Sequence, residues 1–149
     1  MTECLIVAKA AEALANETLC RMDSPPPLVA CPSPQAALDV YTDQRVLFGE
    51  PDMIAAVIGE MPAVDWVQST WAGVTPLVEH GRRDYVLTGV RGVFGPQMAE
   101  YVIGYLLAHE LRVLERAAAQ DRQAWDTTPS GRLQGRRLGI MGTGSIGRH

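Results

Sequence analysis

Val64-Asp65-Trp66-Val67-Gln68-Ser69-Thr70-Trp71-Ala72-Gly73-Val74 reads as a buried strand that runs out into small residues. Runs of the same kind recur on both sides of it. Leu5-Ile6-Val7, Leu28-Val29-Ala30 and Arg45-Val46-Leu47-Phe48 precede it, and Tyr85-Val86-Leu87 follows. Their starts, at 5, 28, 45, 66 and 85, lie 17 to 23 residues apart. Continuous apolar runs, rather than strict alternation, suit strands buried on both faces of a parallel sheet.

The segments between these runs read as short helices. Residues 8–20 are rich in Ala, Leu and Glu, and residues 51–61 carry Met53, Ile54, Val57 and Ile58 on one stripe. Pro51 with Asp52 beside it is a helix-start signal. Strand and helix in alternation predict an α/β sheet with right-handed crossovers. Ser24-Pro25-Pro26-Pro27 reads as a linker, since no helix survives three prolines. Cys31-Pro32-Ser33-Pro34 breaks the chain again.

After Pro96 the character changes. To about Gln123 there is no further proline and one glycine, Gly104, while Met98, Val102, Tyr105, Leu106, His109 and Val113 fall on one helical stripe. A single helix is expected, a rod of roughly 40 Å. That is too long for a crossover between adjacent strands and suits a passage from one domain into another. His109, on the apolar stripe, is expected to be packed. Thr127-Thr128-Pro129-Ser130-Gly131 reads as a loop, and Arg137-Leu138-Gly139-Ile140-Met141 as a last apolar strand.

Composition narrows the function. The 149 residues are 47% hydrophobic and 20% charged, which is ordinary for a globular protein and excludes a disordered or collagen-like chain. A net charge of −4 gives no electrostatic case for nucleic-acid binding. No apolar run approaches the roughly 20 residues that span a bilayer, and the start of the sequence lacks a secretory signal's basic and apolar regions. Cys4, Cys20 and Cys31 show no metal-ligand spacing and are expected to be reduced, buried thiols in a cytoplasmic protein.

Two stretches carry chemistry. Gly142-Thr143-Gly144-Ser145-Ile146-Gly147 follows an expected strand and should open a helix. Its glycines would permit a tight turn, close approach of a pyrophosphate and close helix–strand packing, with the Ser145 and Ile146 amides facing the phosphates. Only five residues follow Gly144 here, so the rest of the βαβ unit and the acidic ribose ligand lie outside this sequence. The second stretch is Trp71 to Val74, at the carboxyl end of a parallel strand, where such sheets bind ligands. Successive free amides there would hold a carboxylate; an ordinary strand-to-helix turn is the alternative. Phe48-Gly49-Glu50-Pro51 would line the same edge.

Several blocks together resemble the NAD(P)-dependent D-2-hydroxyacid dehydrogenases, most closely their glyoxylate/hydroxypyruvate reductase branch. They are Trp66 to Val74, Leu87 to Gly95, Met98-Ala99-Glu100-Tyr101 and Leu133 to Gly147, in family order. The resemblance implies a flavodoxin-like substrate domain over 1–101, then an interdomain helix and an incomplete Rossmann domain over 102–149. It implies that Gly49, Ala72 and Gly73 hold the substrate carboxylate. Gly142, Gly144, Ser145, Ile146 and Gly147 would bind the pyrophosphate of NAD or NADP. The family's catalytic Arg, acidic residue and His fall past residue 149. His80 and His109 match no catalytic position, and His149 is too early in the family order. Arg91 would face the cleft or form a structural ion pair. The family commonly dimerises through the cofactor domain and its long helix, so a homodimer is implied.

Two functions therefore follow. The first is the N-terminal part of an enzyme that reduces a small 2-keto acid, with no turnover expected from this chain alone. The second is a non-enzymatic module that binds a small carboxylate or a partner chain, with residues 126–149 disordered or packed on another chain.

Overall fold

A computed structural model describes residues 3–149. Two compact units divide the chain, one running to Val90 and the other from Arg91. The first is an α/β sheet. Its strands are β1 (Cys4–Val7), β2 (Leu28–Cys31), β3 (Val46–Gly49), β4 (Trp66–Ser69) and β5 (Val86–Thr88), all parallel in the order β2-β1-β3-β4-β5. This is the flavodoxin-like order. The helices α1 (Ala11–Arg21), α2 (Pro34–Val40), α3 (Pro51–Ala55) and α4 (Thr75–Glu79) make the crossovers.

Prolines start three of these helices rather than only breaking the chain. Pro34, Pro51 and Pro76 each sit in a first turn, where a missing N–H costs nothing. The Pro32-Ser33-Pro34 break is thus the opening of α2, with the Ser33 hydroxyl accepting from the Ala36 amide at 3.1 Å. The stripe over 51–61 is not one helix. It is α3 followed by a 3₁₀ turn over Ile58–Glu60.

The strand pleat sends Leu5, Val7, Leu47 and Val67 to one face, where they pack with Ala37 of α2, Ile54 of α3 and Leu77 of α4. Each is under 2% exposed, and burying a side chain of this size contributes roughly 1.5–3 kcal/mol. Right-handed crossovers put α1 alone on the opposite face, over β1 and β2. Ile6 is buried there, but Trp66 and Val86 are 44% and 61% exposed. Burial on both faces therefore holds for β1 and fails at β4 and β5, because no helix of this unit reaches them. Arg82 closes the lower loops by donating to the carbonyls of Ile58, Met61, Pro62 and Val64.

The second unit contains α5 (Gly95–Glu110) and α6 (Val113–Asp121). The single rod expected from Pro96 to Gln123 is broken. Arg112 adopts the left-handed conformation (φ +54°), its amide bonds back to the His109 carbonyl at 3.0 Å, and the chain turns. The returning segment holds the break: Gly131 N–H donates to the Glu110 carbonyl at 2.7 Å, and Arg136 pairs with the Glu110 carboxylate at 2.8 Å. Without this reversal those partners would not meet.

Residues 137–141 form no strand. A strand exists only through a ladder with a neighbour, and this unit offers none. His109 is exposed rather than packed, because the stripe of α5 lacks a covering layer within its own unit. Cys4 and Cys31 are buried free thiols, whereas Cys20 lies exposed on α1. Among the described residues no helix is long and apolar enough to cross a membrane, and no cluster of His, Cys, Asp or Glu is arranged to hold a metal ion.

Candidate functional site

Because all five strands are parallel, their carboxyl ends share one edge. The strand order reverses between β1 and β3, and crevices at such points commonly take ligands. Here the crevice is filled by the chain itself. Glu50 N–H donates to the Val7 carbonyl at 2.9 Å, and the Glu50 carboxylate accepts from the Lys9 amide at 3.0 Å. The Lys9 amide is thus taken up by an internal carboxylate.

Gly49 is required by this close approach. A Cβ there would lie 2.0 Å from the Val7 carbonyl oxygen, deep inside any allowed contact. Its own carbonyl accepts twice from Thr70, from the amide at 2.8 Å and the hydroxyl at 3.1 Å. The ends of β3 and β4 are thereby tied together.

The next turn is open. Ser69 is fully buried, its hydroxyl accepting from the Trp71 amide and donating to the Trp71 carbonyl, both at 3.0 Å. Val90 N–H reaches the same carbonyl at 3.5 Å, and a Cβ on Gly89 would lie 3.3 Å from it. The turn is therefore gripped from β4 and from the end of β5. Past it, Ala72 and Gly73 are exposed, and among the described residues no acceptor takes either amide. A Cβ on Gly73 would meet nothing within 4 Å. Two adjacent, unpaired N–H groups on a fixed turn suit a carboxylate or a similar small anion.

No side chain between Ser69 and Val74 carries an acid or base for proton transfer at neutral pH. His80 follows α4, which runs back from this edge, and comes within 3.3 Å of a Cβ built on Gly59. His109 and His149 belong to the second unit. Arg91 is exposed and makes no ion pair among the described residues. The small residues that end the strand mark the open amides in the sequence, but not the Ser69 hydroxyl that holds the turn before them. The available signal was a serine closing the strand, ahead of the small residues.

In the second unit the glycine loop has the turn its spacing requires. Gly142 has φ +99°, and a Cβ on Gly147 would lie 2.0 Å from the Gly142 carbonyl oxygen, so neither tolerates a side chain. Gly144 is open, and among the described residues no acceptor takes the Ser145 or Ile146 amide. Only one turn follows, closed by His149 N–H to the Ile146 carbonyl at 3.1 Å. A cleft of about 520 Å³ is lined by Gly142 and Gly147 of this loop, by Ile140 and Met141 before it, and by Met98, Val102 and Ile103 of α5.

No family model matches the sequence, and no curated protein matches it. Among solved structures the chain is similar to a D-isomer specific 2-hydroxyacid dehydrogenase family protein from Aeromonas salmonicida subsp. salmonicida. The two share 31% identity and a TM-score of 0.90, over 98% of this chain and 47% of that one. The chain thus spans about half the length of the protein it resembles. It has the α/β fold, with a five-stranded parallel sheet, of a D-2-hydroxyacid dehydrogenase domain.

Proposed function

We propose that the chain is the N-terminal part of an oxidoreductase. The reaction is hydride transfer between NAD(P)H and a small 2-keto acid of the glyoxylate or hydroxypyruvate type. The observation that carries this reading is the pair of unpaired amides at Ala72 and Gly73. They sit on an exposed turn at the carboxyl edge of the sheet, in a chain similar to a 2-hydroxyacid dehydrogenase family protein. In this reading Ala72 and Gly73 hold the substrate carboxylate. Gly49 acts beside them by bringing β3 against β1 and offering its carbonyl to Thr70. Residues 1–101 serve as substrate domain, and residues 102–149 begin the cofactor domain.

The glycine loop fits a dinucleotide in its backbone, since Gly142 makes the tight turn, Gly147 packs too closely for a side chain, and Gly144 is open to an approaching group. Gly142, Gly144, Ser145, Ile146 and Gly147 would hold the pyrophosphate of NAD or NADP. Bound there, the cofactor supplies the hydride. The exposed apolar stripe of α5, with Met98 and Val102 each above 40% exposed, supports a homodimer contact through that helix. A cytoplasmic location accords with the free cysteines. The catalytic Arg, acidic residue and His of the family have no counterpart among these residues, so the 149-residue chain by itself binds without turning over.

Oxalate, which carries a carboxylate and no reducible ketone, tests the binding half of this reading. Titrated into the ¹⁵N-labelled 149-residue chain, it is expected to shift the Ala72 and Gly73 amide resonances in a saturable way. A spectrum in which those two amides stay still up to high millimolar oxalate contradicts the reading.

A further inference from the structure

We infer that Ser69 is a positioning residue for the carboxylate site, acting through Trp71; the inference rests on the proposed reading of Ala72 and Gly73. Three observations carry it. First, Ser69 is a fully buried polar side chain at the end of β4, and burial without partners would be costly. Its partners are both on one residue: the hydroxyl accepts from the Trp71 amide and donates to the Trp71 carbonyl, each at 3.0 Å. Second, these bonds consume the Trp71 amide, so the run of amides left open begins at Ala72. Third, the Trp71 carbonyl is where the end of β5 joins the turn, through Val90 N–H at 3.5 Å and the close approach of Gly89.

The Ser69 hydroxyl therefore fixes the peptide planes on both sides of Trp71. The plane on the carboxyl side carries the Ala72 N–H, so its direction is set by the hydroxyl that grips the Trp71 carbonyl. Thr70 has a different task. Its amide and hydroxyl both bind the Gly49 carbonyl, which ties β4 to β3 without touching Trp71. The two neighbouring hydroxyls can thus be separated by substitution.

Ser69→Ala and Thr70→Val, each made in the 149-residue chain, are compared with the parent in the oxalate titration. Ser69→Ala is expected to weaken oxalate binding about five- to tenfold, the size of one lost hydrogen bond. Thr70→Val is expected to stay within about twofold, with the amide shifts of β1 and β3 showing both variants folded. Equal weakening by both variants, or an unchanged affinity for Ser69→Ala, overturns the inference while leaving the carboxylate reading intact. Absence of oxalate shifts in the parent overturns the reading and this inference together. A measurement on the parent covers the case of a variant that does not fold. Without ligand, the Trp71 amide should exchange with solvent at least about tenfold more slowly than those of Ala72 and Gly73. Equally fast exchange at all three positions overturns the inference.

Discussion

A Cβ at position 49 would sit 2.0 Å from a backbone oxygen, and one at position 73 would meet nothing. Both glycines read in the sequence as lining the same edge, yet only the first is demanded by packing. Gly49→Ala must push β3 away from β1 and is expected to lose at least about 3 kcal/mol of stability in urea unfolding, whereas Gly73→Ala should stay within about 0.5 kcal/mol. Equal effects would show that the close approach at Gly49 does not bear on stability. Cys4 is the second informative residue. Burial pushes its thiol up to about 11, from an ordinary value of 9.0. The folded chain therefore keeps the proton over a range in which the unfolded chain releases it. The stability this provides is complete below pH 9 and is lost as pH rises towards 11, a drop on the order of 2 kcal/mol. Chemical unfolding at stepped alkaline pH should show this fall in the parent and a flatter profile in Cys4→Ala. An equally steep profile in the variant would assign the fall to other groups. Residue identities alone did not separate Cys4 and Cys31 from Cys20, because the three differ in which strand or helix face they occupy.

At the scale of elements, apolar runs located all five strands of the first unit to within about a residue, since even the strands covered on one face, β4 and β5, carry a run of large apolar residues between polar loops. Helix starts were half legible. Pro51 reads as one, but Pro34 reads as a break, although Ser33 before it is the capping residue that makes it a start. The division of the long helix at Arg112 had no local signal. Its reversal depends on Gly131 and Arg136, some 20 residues further on, meeting Glu110. The missing strand at 137–141 has the same origin, an element whose existence depends on a partner. Arg82 is where an element's stability rests on one side chain. Four loop carbonyls accept from its guanidinium, which also pairs with Asp84 and holds that carboxyl below its usual range. Arg82→Ala should lose about 2–4 kcal/mol, and Arg82→Lys should recover less than half, because an ammonium cannot span the fork. Full recovery by lysine in thermal unfolding would reduce the role of Arg82 to its charge.

At the scale of the molecule, alternation of strand and helix made the fold class readable, but not which strand lies in the middle. The central place of β3 follows from the reversal of crossover direction after β2, and that in turn brings Gly49 against Val7 of β1. The open amides at Ala72 and Gly73 were legible because small residues ended a strand. The Ser69 hydroxyl beneath them was not, because its partners are set by a turn rather than by any spacing. What the chain does as a whole rests on its likeness over 47% of a 2-hydroxyacid dehydrogenase family protein. The most direct test isolates the native product from its source, determines its intact mass and follows NADH and NADPH oxidation with glyoxylate and hydroxypyruvate. The native product should weigh about twice 16.2 kDa and reduce one of the two acids, while the 149-residue chain reduces neither. Turnover by the 149-residue chain alone, or a longer native product inert towards both acids with both cofactors, would contradict this reading.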